Sequence, residues 1–318
     1  MYDNGILLIG LNRLEENMDS VKQIDTINDL HDLFGYEGNI NPYVSLINLE
    51  KTNLREELRS LKFSINLYTI TMKDNKDCWL KYGRQVYDFS AGSLLFTAPG
   101  QVFLLDSVYD DLHCEGWMLC FHPDLIRNSH VEDKMSEYTY FSYDTYEALH
   151  LSSQENNMIT EVINNISKET ALSVDTFSQS ILLSYLEVLL SYSSRFYARQ
   201  FETRSKSNKD YLIQFEEILR KAFSEETEDN HIPSVKEIAN MLGYSPNYLS
   251  DMLKKETGQT ASEYIQKYMV DKAKSLLINK EITINEISII LGFEQQANFS
   301  KFFKGKTGQS PSIYRKNH

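Results

Sequence analysis

The chain has 318 residues, 42% of them hydrophobic, which suffices for two domains with cores of their own and excludes a disordered or collagenous protein. Its 45 acidic side chains outnumber 32 basic ones, and the net charge of −13 excludes a uniformly basic nucleic-acid binder. Three cysteines, Cys78, Cys114 and Cys120, cannot form a fully paired disulfide framework and lack the spacing of a structural zinc site, so a reducing cytoplasm is the expected location.

In chain order, Ile6 to Leu11 reads as a first strand, with no basic segment before it to suggest a secretory signal. From about residue 40 to 122 the chain alternates short apolar runs with turn residues. The runs are Tyr43 to Leu49, Phe63 to Met72, Trp79 to Phe89, Ser93 to Thr97, Val102 to Leu105 and Trp117 to Phe121. Ala91-Gly92, Pro99-Gly100 and the polar cluster Lys73 to Asp77 mark hairpins, which predicts a small antiparallel barrel or sandwich. Alternation would send some aromatic side chains inward, and Trp79, Tyr82, Tyr87, Phe103 and Trp117 are candidates to line an effector pocket. His113 and His122 stand apart, without an H-x-H pair, so no metal site is expected. No nucleophile triad or phosphate-cradling glycine loop appears, and the reading names no catalytic residue and no cofactor.

Helical patterns follow at Pro123 to Asn128, Ser153 to Glu169 and Thr176 to Phe201, the last with a wide face of Leu182, Leu183, Leu186, Leu189 and Leu190. The longest apolar stretch, Ile181 to Leu190, is too short and too interrupted for a membrane span. A polar run, Arg204 to Lys209, precedes a predicted helix at Tyr211 to Phe223 and the acidic Glu225 to Asp229, which places a linker at 204–210. Beyond it the charge changes sign: residues 231–318 carry 12 basic and 8 acidic side chains, a net +4.

That basic tail nearly repeats itself with a shift of 49 to 50 residues. Val235, Ile238, Ala239 and Leu242 recur as Ile284, Ile287, Ser288 and Leu291, the spacing of a two-turn amphipathic helix. Each begins with a capping box, Ser234-Val-Lys-Glu237 or Thr283-Ile-Asn-Glu286, and stops at a glycine, Gly243 or Gly292. A second helix follows, from Ser245-Pro246 or near Gln295, with Leu249, Met252 and Leu253 matching Phe299, Phe302 and Phe303. Between the copies, Thr260-Ala-Ser-Glu263 caps a helix running to about Asn279. Two helices and a tight turn, used twice across a spacer, fit two successive major grooves of DNA.

With the apolar stripes inward, the second helices present Asn247, Ser250 and Asp251 in one copy, and Gln296, Ala297, Asn298, Ser300 and Lys301 in the other, to base edges. Lys254, Lys255, Lys304, Lys306 and Arg315 are the candidate phosphate contacts. Asp251 would repel phosphate unless it accepts from a cytosine amino group.

At these residues the sequence resembles the AraC/XylS family of bacterial transcription regulators, whose DNA-binding domain is two such motifs joined by one helix. The resemblance covers about Tyr211 to Lys316 and is strongest in Gly243-Tyr-Ser-Pro-Asn-Tyr-Leu-Ser and from Leu291-Gly-Phe-Glu through Asn298-Phe-Ser-Lys-Phe-Phe-Lys to Arg315. It implies an α+β chain: a cupin-like antiparallel β-barrel sensor and dimerisation domain over 1–203, with the barrel to about 122 and helices at about 123–203, then an all-α DNA-binding domain over 211–318. It also implies a cytoplasmic activator that binds promoter double-stranded DNA as a homodimer, answers a small-molecule effector and contacts RNA polymerase, with no membrane partner and no catalysed reaction. The alternatives are a cupin-class enzyme or a protein-binding module fused to a DNA-targeting tail.

Overall fold

The computed structural model describes residues 21–36, 41–52, 62–73, 81–82, 85–86, 92–104, 115–144, 147–207, 210–223 and 232–317. Contacts divide the chain into two units, Met1–Gln200 and Phe201–His318. The expected first strand at residues 6–11 lies outside the described residues.

The first unit opens with strand β1 (Val21–Ile24) and helix α1 (Ile27–Phe34), whose N-cap Thr26 and Asp29 form a capping box. Among the described residues nine strands follow: β2 (Val44–Asn48), β3 (Lys62–Ile65), β4 (Tyr68–Lys73), β5 (Lys81–Tyr82), β6 (Gln85–Val86), β7 (Ser93–Thr97), β8 (Gln101–Leu104), β9 (Gly116–Phe121) and β10 (Leu149–His150). They form two five-stranded sheets, ordered β1-β3-β8-β5-β6 and β10-β7-β4-β9-β2. The pairings are antiparallel except β1 with β3, which run parallel with Val21 opposite Lys62.

Alternation along β9 places its side chains. Met118 and Cys120 join Ile47 of β2, Phe63 and Ile65 of β3, and Leu30 and Phe34 of α1 in one buried core. Leu119 and Phe121 point the other way, against Leu125, Ile166, Leu182 and Leu186. Those residues belong to α2 (Pro123–Ile126), α4 (Ser153–Thr170) and α5 (Ser178–Ser207); the short α3 (His130–Lys134) follows α2. With both faces covered, β9 reads as a continuous apolar run. On α5, Leu182, Leu183, Leu186, Leu189 and Leu190 are all buried, and Tyr140 donates its hydroxyl hydrogen to the Leu190 carbonyl (3.0 Å).

Two expectations need correction, and the interdomain segment is more helical than its composition suggests. The two sheets share no strand among the described residues, so they are open layers and not a closed barrel. The run expected to be one strand at Phe63 to Met72 breaks at Asn66, whose backbone N–H donates to the Ile24 carbonyl (2.8 Å) and whose side-chain amide reaches Gln23 (3.2 Å) and Asp25. The segment expected to link the domains at 204–210 is helical through Ser207, and the next helix starts at Asp210.

The second unit is helical: α6 (Asp210–Ala222), α7 (Val235–Leu242), α8 (Pro246–Thr257), α9 (Ala261–Ile278), α10 (Ile284–Ile290), α11 (Gln296–Thr307) and α12 (Pro311–Asn317). α9 is its axis. Phe215 of α6 and Phe223 just after it meet Tyr264 and Tyr268 of α9, Tyr264 gives a hydrogen bond to Glu216, and Tyr314 of α12 packs edge-on against Phe303. No helix among the described residues is long and apolar enough to cross a membrane.

Candidate nucleic-acid interface

The two halves of the second unit are built by the same local chemistry. Ser234 and Thr283 each accept the N–H of the glutamate three residues on (3.3 and 3.1 Å), and that carboxylate accepts the cap residue's own N–H (2.7 and 2.6 Å). Each first helix then ends at a left-handed glycine, Gly243 (φ 74°) or Gly292 (φ 70°), which a residue with a Cβ would occupy only under strain. The next N–H closes the corner in both, Tyr244 to the Ala239 carbonyl (2.9 Å) and Phe293 to the Ser288 carbonyl (2.8 Å). The aromatic rings of these residues plug the turns, Tyr244 stacking on Tyr248 and Phe293 packing on Phe299 and Phe302.

The second helices, α8 and α11, correspond residue for residue with a shift of 50. At their C-termini Thr257 and Thr307 donate to the Leu253 and Phe303 carbonyls (both 2.8 Å) and accept from the N–H of Gln259 and Gln309. Buried stripes of Tyr248, Leu249, Met252 and Leu253, and of Phe299 and Phe303, fix which way each helix turns. The opposite faces stay open to solvent.

On α11 every base-facing candidate is accessible: Gln296, Ala297, Asn298 and Lys301 are exposed and Ser300 is half-buried. On α8, Asn247 is exposed, while Ser250 and Asp251 are half-buried. The structure therefore brings Asn247, Ser250 and Asp251 onto one face, as it does Ala297, Ser300 and Lys301 at the equivalent positions. Ser250 also has a structural task, since its Oγ accepts the Ala261 N–H (3.2 Å) at the head of α9.

Among the phosphate candidates, Lys254, Lys304 and Lys306 are exposed, and Lys254 and Lys304 stand at equivalent positions. Lys255 is exposed as well but pairs with Glu202 (2.7 Å). Arg315 is half-buried and donates from Nε to the Leu277 carbonyl (3.2 Å), capping the C-terminus of α9. Glu263 is held below the ordinary carboxylate range by the Thr260 N–H and hydroxyl, with Lys254 and Lys306 adding to the effect.

Sequence reasoning passed over Gln295. It is the N-cap of α11, its side chain makes no capping hydrogen bond, and it is exposed beside Gln296. The 50-residue shift could have found it, because the matching Ser245 is buried and caps α8 through the Tyr248 N–H (3.3 Å).

The proposed pocket residues fare differently. Trp79 and Tyr87 lie outside the described residues. Tyr82 and Phe103 are register partners in β5 and β8, whereas half-buried Trp117 belongs to β9 in the other sheet. The void bounded by Val44, Leu119, Phe121 and Leu186 measures about 10 Å³, roughly the room for one water molecule, and Trp117 does not line it.

Residues 238–317 match the family model described as a helix-turn-helix domain. Over 82 residues the chain is 33% identical to the uncharacterized HTH-type transcriptional regulator YobQ of Bacillus subtilis (strain 168), covering 26% of this chain and 34% of that protein. It is 31% identical over 130 residues to the Msm operon regulatory protein of Streptococcus mutans serotype c, covering 41% of this chain and 45% of that one. The solved C-terminal domain of the two-component response regulator yesN from Fusobacterium nucleatum is 30% identical over 31% of this chain and 96% of that one, with a TM-score of 0.28. The chain spans less than half the length of these two curated relatives.

Proposed function

The chain belongs to the AraC family of helix-turn-helix transcription regulators through its C-terminal domain, and from that premise we propose that it sets α8 and α11 into two successive major grooves of promoter DNA. The observation that carries this reading is the duplication itself: two helices of identical length, each with its apolar side buried and a polar side open, joined through one continuous helix.

In this reading Asn247, Asp251, Gln296, Ala297, Asn298, Ser300 and Lys301 address base edges, and Ser250 does so while still supporting α9. Lys254, Lys304 and Lys306 hold phosphates directly. Lys255 joins them when it leaves Glu202, and Arg315 supports the phosphate grip from beneath by fixing the end of α9. The reading includes no catalysed reaction, and it places the protein in the cytoplasm.

The first unit is then a sensor, with Tyr82, Phe103 and Trp117 still candidates, alongside Trp79 and Tyr87, for contact with a small-molecule effector. The effector changes promoter occupancy only if it binds two arrangements of the protein unequally. Pairing of two copies and contact with RNA polymerase complete the proposal, as an activator. The test is to sequence genomic DNA fragments retained by the purified chain. Fragments sharing two short blocks about one helical turn apart support the reading; fragments without shared bases refute it.

A further inference from the structure

We infer that Gln295 reads a base, released from capping α11 by the extra residue Glu294 in the second turn. The inference rests on the reading above that α11 enters a groove, and it adds a specificity-determining side chain to that face.

The two motifs keep a shift of 49 residues as far as Tyr244 and Phe293, and of 50 from Ser245 and Gln295 onward. The second turn is therefore longer by one residue, Glu294. In the first motif Ser245 directly follows the aromatic plug; it is buried (3% exposed) and its Oγ accepts the Tyr248 N–H (3.3 Å). In the second motif the position after the insertion lies outside, where Gln295 is exposed together with Glu294 and Gln296.

Capping is otherwise the rule in this unit. Ser234, Ser245, Thr260, Thr283 and Ser310 each accept a first-turn N–H at the head of α7, α8, α9, α10 and α12. Gln295 holds the same place on α11 and makes no such bond, and the Asn298 N–H falls back on the Gln295 carbonyl (3.0 Å). Glutamine stands outside the Ser, Thr, Asp and Asn set that serves this position. A local rule kept by the neighbouring helices and broken at one marks a side chain with another task.

Its chemistry and its place define that task. Gln295, Asn298 and Lys301 follow one another at three-residue intervals and make one exposed row. The carboxylate of Glu294 beside Gln295 disfavours a phosphate there, and a neutral amide brings no charge to hold one. The same amide presents a donor and an acceptor side by side, which matches the N6–H and N7 of adenine in the major groove. Gln295 therefore addresses an adenine adjacent to the base pair addressed by Asn298.

The test uses the full chain and duplexes taken from its retained genomic fragments, with every base pair of the site replaced in turn. For Gln295→Ala the expected result is the loss of roughly 5- to 150-fold discrimination at one A·T pair, with preference at every other pair kept. Gln295→Ser is expected to lose the same discrimination and to raise the thermal midpoint of helical circular dichroism by a few degrees, because serine restores the cap. Weaker reading in a more stable fold is an outcome that disruption of α11 cannot give. Retention of every preference in both variants overturns the assignment, and so does equal weakening at all sequences, the mark of a phosphate contact. A midpoint for Gln295→Ser that fails to rise overturns the release from capping. Lys301→Ala, measured alongside, separates the two levels. If it loses discrimination at its own base pair while Gln295→Ala loses none, only the assignment of Gln295 fails; if the unaltered chain shows no preference at any pair, the groove reading fails with it.

Discussion

Asp251 of α8 and Lys301 of α11 occupy equivalent positions, so on the proposed reading the two helices would bring opposite charges to DNA at the same point of their surfaces. The second helix should therefore dominate affinity. Replacing Lys301 or Asn298 with Ala is expected to cost about 1–3 kcal/mol and to relax preference at one base pair. Replacing Lys304 should instead weaken all sequences alike and reduce the slope of affinity against salt by about one. Titrating each variant against a set of single-base-pair substitutions separates the two outcomes. Cys120 makes a different prediction. It is completely buried between the sheets, and desolvation drives its thiol pKa far up. An alkylating reagent should leave Cys120 unmodified in the native chain and modify it after denaturation, as peptide mapping would show; labelling at the native rate of a free thiol would contradict the packing. The solvent-facing side of each second helix could be read from the 50-residue shift, but the inward bonds of Ser250 and Arg315 could not, since their partners lie 11 and 38 residues away in the chain.

The helices of the second unit are legible because each carries its own start and stop. Ser234, Thr260 and Thr283 open helices with capping boxes, and Gly243, Gly258 and Gly308 close them in left-handed conformations, all within a few residues of the helix they bound. The sheets lack such local marks. β1 pairs with β3, some forty positions on, and the break at Asn66 is set by groups near residue 24, so the pattern between 63 and 72 alone reads as one strand. The caps also have a measurable value. Thr283→Ala should destabilise the DNA-binding unit by about 1 kcal/mol at neutral pH. Glu286 is held below its ordinary pKa first by the Thr283 N–H and then by its hydroxyl, as Glu263 is by Thr260. A carboxylate depressed in the folded state contributes in full above its unfolded pKa of about 4.3, and the contribution is lost as pH falls through the folded value. Urea unfolding of the unaltered chain and of Thr283→Ala should therefore differ most at neutral pH and differ less on the acid side of about pH 4, where the hydroxyl–carboxylate contact is lost but the Thr283 hydroxyl still accepts the Glu286 N–H. A difference that grows on acidification would contradict the capping geometry.

At the scale of the whole molecule, the proposed DNA binding is compatible with a net charge of −13 because the acid is concentrated ahead of residue 231, leaving a tail of +4 that holds both proposed recognition helices. A charge this small gives little non-specific grip, so affinity must come from engaging both grooves together. The spacer makes that demand geometric. α9 is one helix of 18 residues, about 27 Å long, whose ends are fixed by the Thr260 cap and by Arg315 on Leu277. It cannot stretch to follow DNA whose two blocks are moved apart. Inserting about five base pairs between the blocks turns the second groove to the far side of the duplex, and about ten restores its facing but carries it a full turn, roughly 34 Å, farther away. Both insertions should reduce binding to that of a single block, as gel-shift titrations would measure. Recovery at ten base pairs would mean that the spacing is set by two paired copies, each using one recognition helix, rather than by α9 within one chain.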